Sequence, residues 1–202
     1  MGENINVILE TIIAAFIMII FPLYSAYTSK DDIAYALAMS YTKDFVDQIA
    51  ENGYITEDMY INFLQQLTKA TDNSYVVSFT HKSTRYDVAN IDEKVNGAGQ
   101  ITELPTVTIA TDVETYDDNY IKNALTNSKD HIYLLSENDQ INVAIKNDNT
   151  TIATVIFNII TANISNTNTR IYVDLTSNVR NESWRNLPDI YVIYKNLLED
   201  GV

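Results

Sequence analysis

The stretch from Ile5 to Ser29, INVILETIIAAFIMIIFPLYSAYTS, constrains this chain more than any other. From Thr11 to Ser29 it runs nineteen residues without a charge, and Ile12 to Leu23 is densely apolar. About 20 mostly apolar residues let a helix cross the roughly 30 Å hydrocarbon core of a bilayer. Lipid offers the backbone no hydrogen-bond partners, so such a segment must close its bonds internally as a helix. The expectation is a membrane-spanning helix within 1–29 and a water-facing domain over 30–202. Two other readings compete with it. A secretory signal would carry a basic n-region and a small-x-small cleavage site, but the first basic residue is Lys30 and Glu3 makes the flank acidic. A buried core helix is the second alternative. Phe21-Pro22 favours lipid, where a proline is tolerated within a helix, and Tyr24 and Tyr27 suit the aromatic belt at a membrane surface.

Lys30 is the one basic residue near either end of the span, and it stands beside Asp31 and Asp32. That count weakly favours an inside C-terminus, yet long domains translocate largely regardless of charge. The domain is acidic, rich in Thr, Asn and Tyr, and free of cysteine, which fits an exported protein that relies on no disulfides. The expected location is therefore the cell membrane, single-pass, with the C-terminal domain extracellular. All 13 basic residues and 25 of the 27 acidic ones fall in 30–202, a net charge of −12 there. Such a domain repels nucleic-acid phosphates and anionic headgroups, so nucleic acid is excluded as a main partner.

Hydrophobic periodicity then divides the domain. Ala34, Ala38, Tyr41, Phe45 and Ile49 recur at helical spacing, and Gly53 stops the helix. No breaker but Pro22 separates this helix from the apolar stretch, so one long N-terminal helix is expected. A second helix spans about Thr56 to Ala70, with Thr56 as N-cap and Phe63, Leu64 and Leu67 inward. Tyr75, Val77 and Phe79 alternate with Val76, Ser78 and Thr80 as a strand with one face buried, and 83–102 reads as a polar loop with a turn at Asn96-Gly97-Ala98-Gly99, or a domain sub-boundary. Val107, Ile109 and Val113 alternate next, in a strand that pairs with the first. A short helix over Asp117–Lys129 buries Tyr120, Ile121, Ala124 and Leu125. His131–Leu135 and Ile141–Lys146 read as a hairpin about a turn at 136–139. Thr150 or Thr151 caps a helix carrying Ile152, Val155, Ile156, Ile159 and Ile160, and a polar run over 163–169 closes it. Arg170–Leu175 is a strand, and a helix opens at Pro188. The fold class is α+β: a long N-terminal helix, membrane-spanning in its first half, packed on a small antiparallel or mixed sheet domain with short helices.

Chemistry is sparse by comparison. His81 and His131 lie fifty residues apart, each on an expected strand, and without cysteine neither has partners at metal-ligand spacing. No phosphate-binding glycine loop, nucleophile elbow or HExxH helix occurs. Asp112, Glu114, Asp117 and Asp118 cluster at a strand-to-helix junction, and Asn147-Asp148-Asn149 sits in a turn. Calcium takes six to eight oxygens, but the first cluster lacks the glycine and terminal glutamate of an EF-hand, and a solvated acidic face is the plainer reading. Three Asn-x-Ser/Thr matches, at Asn149, Asn163 and Asn181, are expected by chance in an Asn-rich chain. No catalytic, cofactor-binding or metal residue is assigned. Glu10 stands out: a carboxylate at the centre of an apolar span costs about 2.5 to 3.5 kcal/mol, less near its end, and such groups usually have a partner. It either snorkels to the headgroups or pairs with a cation of a neighbouring subunit, such as a free N-terminal amine.

An almost charge-free N-terminal helix interrupted by one early glutamate, continuing into an amphipathic helix on a small sheet domain, resembles the architecture of type IV pilins and their relatives. FPLYSAYTSKDDIAYALAMSYTKDFVDQIAENGYITEDMYINFL, with the later NDNTTIATVIFNII, is similar to membrane-anchored proteins of tight-adherence (Flp-type) pilus systems in Gram-positive bacteria. The resemblance implies a non-enzymatic structural protein, a pilin-like, minor-pilin or assembly subunit. Glu10 and Pro22 would serve helix assembly, with the membrane and other pilus subunits, or further copies of this chain, as partners. In that family a peptidase cuts after a small residue and the glutamate becomes the fifth mature residue. A cut after Gly2 would put Glu10 eighth, and a count back from Glu10 would put the cut after Ile5. The expectation is a permanent anchor. The alternative function is a membrane-anchored extracellular sensor or adhesion domain.

Overall fold

The computed structural model describes residues 2–92, 106–161, 171–188, 190, 192 and 195. The fold is α+β, and its elements follow in the order α1 (Gly2–Asn52), β1 (Tyr54–Thr56), α2 (Glu57–Thr71), β2 (Tyr75–Asp92), β3 (Thr106–Tyr116), α3 (Asp118–Thr126), β4 (Ile132–Leu134), β5 (Gln140–Asn147), α4 (Ile152–Ile160) and β6 (Tyr172–Asn178). A 3₁₀ turn at Ser183–Asn186 follows, and Pro188, Ile190, Val192 and Lys195 are helical. The chain divides into two compact units. One comprises Met1–Phe45, Asp58–Ser78 and Val143–Leu175, the other Val46–Glu57, Phe79–Asn142 and Thr176–Val202.

The first unit is built on α1, which runs through Pro22 without ending. At 1.5 Å per residue its 51 residues extend about 75 Å. Every residue from Ile5 to Ile19 is exposed, and covering begins at Ile20. From there Tyr24, Tyr27 and Thr28 are half-buried, then Asp31, Ala34, Ala38, Thr42 and Phe45 are buried. This three-and-four spacing is the stripe expected of a helix with one face on a core. Phe45 stacks on Phe63 of α2 at 4.3 Å between ring centroids. Leu67, Val77, Val143, Ile145, Ala153, Ile156, Ile171 and Val173 complete the unit's buried apolar set.

In the second unit α1 ends at Gly53, whose φ of +74° is a left-handed turn that suits glycine alone among the twenty residues without strain. A Cβ there would stand 2.5 Å from the Asn181 carbonyl oxygen. The last carbonyls of α1 receive outside donors: Arg180 N–H bonds to Ala50 O, and Ser183 Oγ to Asn52 O, each at 2.8 Å. Trp184, buried, donates from Nε1 to Leu135 O at 3.1 Å, which ties the 3₁₀ turn down over that end. Such partners are what buried helix termini require.

Strands form two sheets, β1-β4 and β3-β2-β5-β6. The β2–β3 pairing is antiparallel as expected, from His81↔Tyr116 to Asp92↔Thr106 with a bulge between Val88 and Asn90. Residues 83–92, expected as loop, are strand: the pairing with β3 carries β2 on, with Arg85, Thr111 and Val113 all exposed. The expected turn at 96–99 and the polar run over 163–169 lie outside the described residues. The hairpin of β4 with β5 is corrected. β4 pairs instead with β1 (Tyr54↔Leu134), while β5 joins the other sheet beside β2 and β6. The intervening turn redirects the chain: Asn138 is left-handed at φ 70°, and the Asp139 carboxylate accepts from Ser136 N–H at 2.8 Å. One further expectation fails, at α3. Ile121 and Leu125 are buried, but Tyr120 is 54% exposed. Thr151 caps α4 as expected, accepting from Thr154 N–H, yet the buried face is Ala153, Thr154 and Ile156 and the larger Ile152, Val155, Ile159 and Ile160 point outward.

Candidate functional site

Among the described residues α1 is the one helix long and apolar enough to cross a membrane, and no residue of its most apolar window is buried. Its composition is compatible with a single-pass anchor. Glu10 lies on this bare half, exposed, with no hydrogen bond or ion pair to its carboxylate among the described residues. At 100° per residue it lies about a sixth of a turn round from the face on which Ile20 and Tyr24 are covered. Pro22 sits just after that covering starts and removes one backbone donor from the ladder, so the carbonyl one turn earlier lacks its usual partner.

Where the bare half gives way to the covered one, the polar residues begin. Lys30 bonds Asp72 at 3.1 Å, and buried Asp31 accepts from Thr151 Oγ1 at 2.7 Å. Asn149 accepts from Ser74 N–H at 3.0 Å and donates to Asn73 at 2.9 Å. Asn147 holds Ile171 N–H and reaches Asn149 O. The Asn147-Asp148-Asn149 turn thus spends its asparagines in structural hydrogen bonds.

The second unit holds a buried polar cluster that its sequence did not announce. His81, on β2, places Nδ1 2.7 Å from Tyr133 Oη, while Nε2 stands 2.9 Å from Asp139 Oδ2, close but out of line for a straight hydrogen bond. All three residues are less than a tenth exposed. Tyr116 stacks on the imidazole at 5.1 Å, and Tyr120 closes the group against Tyr116 and Tyr133. Burial, then the nearby Tyr120, Tyr116 and Asp139, pushes the Tyr133 phenol far up, so its hydroxyl keeps its proton and can donate to Nδ1. The Nε2–H then faces the carboxylate. Burial works to raise Asp139, but the adjacent His81 ring and hydrogen bonds from Ser136 N–H and Ser83 outweigh it and hold the carboxyl below its ordinary value. Tyr133 takes Nδ1, Asp139 stands against Nε2 and Ser83 serves Asp139, so the cluster pins strand to turn and presents no exposed nucleophile.

The other expected residues disperse. His131 is not on a strand. It precedes β4 with φ 52°, and its Nδ1 lies 2.9 Å from both Leu125 O and Glu57 Oε2. Glu114 pairs with Arg85 at 3.3 Å and accepts from Tyr116 Oη. Asp117 caps α3, and Asp118 takes Phe79 N–H and Lys122. Each of these three carboxylates therefore has structural work, and among the described residues no group of His, Asp and Glu converges as for a metal ion. The His81 group could have been read only from knowledge that residues 52 apart in sequence meet. No family model, curated protein or solved structure matches this chain.

Proposed function

We propose that the chain is a single-pass membrane protein whose C-terminal domain lies outside the cell, and that it works as a non-enzymatic, pilin-like structural or assembly subunit. One observation carries the reading: a single unbroken helix is bare from Ile5 to Ile19 and apolar around its whole circumference from Ile12 to Ile19, then acquires a covered stripe from Ile20 onward. A core helix would hide its apolar side chains, and a water-exposed helix would not be made of them. Lipid, or lipid together with neighbouring helices, satisfies both conditions. Glu10, to the side of the covered face, is available to a cation on another helix, and that bond would favour lateral assembly.

The test compares Glu10→Ala with the unchanged chain in its native cells. The expected result is normal amounts in washed membranes, an unaltered folded domain, and loss from sheared surface material. Normal recovery in the sheared fraction overturns the pilin-like role and leaves a membrane-anchored binding domain.

A further inference from the structure

We infer that α4 is a lipid-contacting helix, whose exposed face of Ile152, Val155, Ile159 and Ile160 enters the leaflet from which the outer end of α1 emerges. The inference rests on the reading of α1 as a membrane span. The sequence of α4, IATVIFNII, has no charge, and its packing is inverted for a water-facing helix: small Ala153 and Thr154 are covered with Ile156, while the four large apolar side chains stand 46–65% exposed. Together they form a contiguous apolar patch, the kind of surface that marks an interaction site.

Two contacts place that patch along α1. Thr151 Oγ1 bonds Asp31 at 2.7 Å, and the Phe157 ring packs on Tyr24 at 6.2 Å between centroids. As α4 advances from 151 to 157, its partner on α1 recedes from 31 to 24, so α4 runs antiparallel beside α1, back toward the apolar stretch. The two paths measure about 9 and 10.5 Å at 1.5 Å per residue, which keeps the axes close to parallel. Ile160 therefore falls about level with Phe21, inside the charge-free run. A bilayer slab of about 30 Å that begins at Ile5 ends near Tyr24 and takes in Ile159 and Ile160. One that begins just past Glu10 ends near Ser29 and takes in most of α4. Either placement wets the patch with acyl chains. Because α4 is neutral on an acidic chain, its lipid is zwitterionic and the contact is apolar, as in helices that lie at the acyl boundary.

The chain has no cysteine, so single labelling sites are clean. Full-length protein carrying Ile12→Cys, Ile159→Cys or Lys129→Cys is labelled with an environment-sensitive fluorophore and reconstituted in phosphatidylcholine vesicles containing nitroxide-labelled lipid. The expected result is a blue shift and a severalfold greater lipid quenching at 12 and 159 than at 129, with 159 protected from aqueous iodide. If 12 is lipid-quenched while 159 behaves like 129, the inference falls and the anchor stands. If 12 is itself unquenched, the anchor reading falls and the inference with it. If 159 escapes both quenchers in proportion to protein density in the vesicle, a second copy covers α4 and the inference is overturned.

Discussion

The two halves of α1 share one backbone and differ in what surrounds them. Between Ile5 and Ile19 no residue is covered, and alanines such as Ala14 stand as open as the isoleucines beside them. Between Asp31 and Asn52, Ala34 and Ala38 are buried with Phe45 and Ile49, and the helix closes under Arg180, Ser183 and Trp184. Helix formation is common to both halves, so propensity does not distinguish them. The small residues on the covered stripe do: Ala34 and Ala38 mark close approach by another element, whereas Ala36 off the stripe and Ala14 in the bare half mark nothing of the kind.

The largest effect comes from turning the bare half polar. Ile13→Lys with Ile17→Lys adds about 5 to 7 kcal/mol to membrane insertion on the biological scale, and the expected outcome is transfer of the protein from the membrane pellet to the soluble fraction. Retention in the pellet after alkaline extraction would show that something other than the span holds it. A paired substitution sharpens the contrast directly. Ala38→Leu forces extra methylenes into a site with no exposed surface and should lower domain stability by about 1–3 kcal/mol, while Ala14→Leu should leave the denaturant midpoint unchanged. Equal effects at the two positions would dissolve the distinction between the halves.

The smallest effect belongs to the unit that contains the sealed end. Asp139 has its folded-state carboxyl held below the ordinary 3.8, so its stabilisation is fully present above that value and is lost as pH falls through the lower, folded one. Asp139→Asn should therefore reduce stability at neutral pH by about 1 kcal/mol or somewhat more, and should flatten the acid limb below about pH 4. Thermal melts of both forms between pH 2 and 7 check this, and parallel acid limbs would refute it.

Much of the fold was legible because burial leaves a period in the sequence. α1 through Pro22 to Gly53, α2, the cap at Thr151, and the alternation of Val77 with Phe79 are all local patterns. Residues 83–92 were not readable, since their strand is made by pairing with β3, a contact distant in sequence that no local spacing reveals. The β4–β5 hairpin was misread because adjacency in sequence favours pairing, whereas Tyr54–Thr56, too short to be noticed, captures β4 instead. In α4 the spacing of isoleucines located the helix but could not tell which side faces protein, because both sides are apolar. The His81 cluster depends on tertiary closure between β2, Tyr133 and Asp139, and no local spacing foretells that. Glu10 and the apolar stretch were the reverse case, plain in the sequence and needing the fold only to show where covering starts.

The unbroken course of α1 past Ser29 has a further meaning for torsion. A flexible linker after the apolar stretch would let the rest of the first unit swivel freely, but here the compass bearing of Glu10 is geared to that of the elements packed on α1 within the same unit. One residue inserted between Tyr24 and Asp31 would turn the carboxylate by about 100° against them and displace it by about 1.5 Å. Whatever grips the helix at Glu10 thereby sets the heading of the surfaces that α2 and α4 present, in the way that a shaft keyed at one end orients the blade at the other.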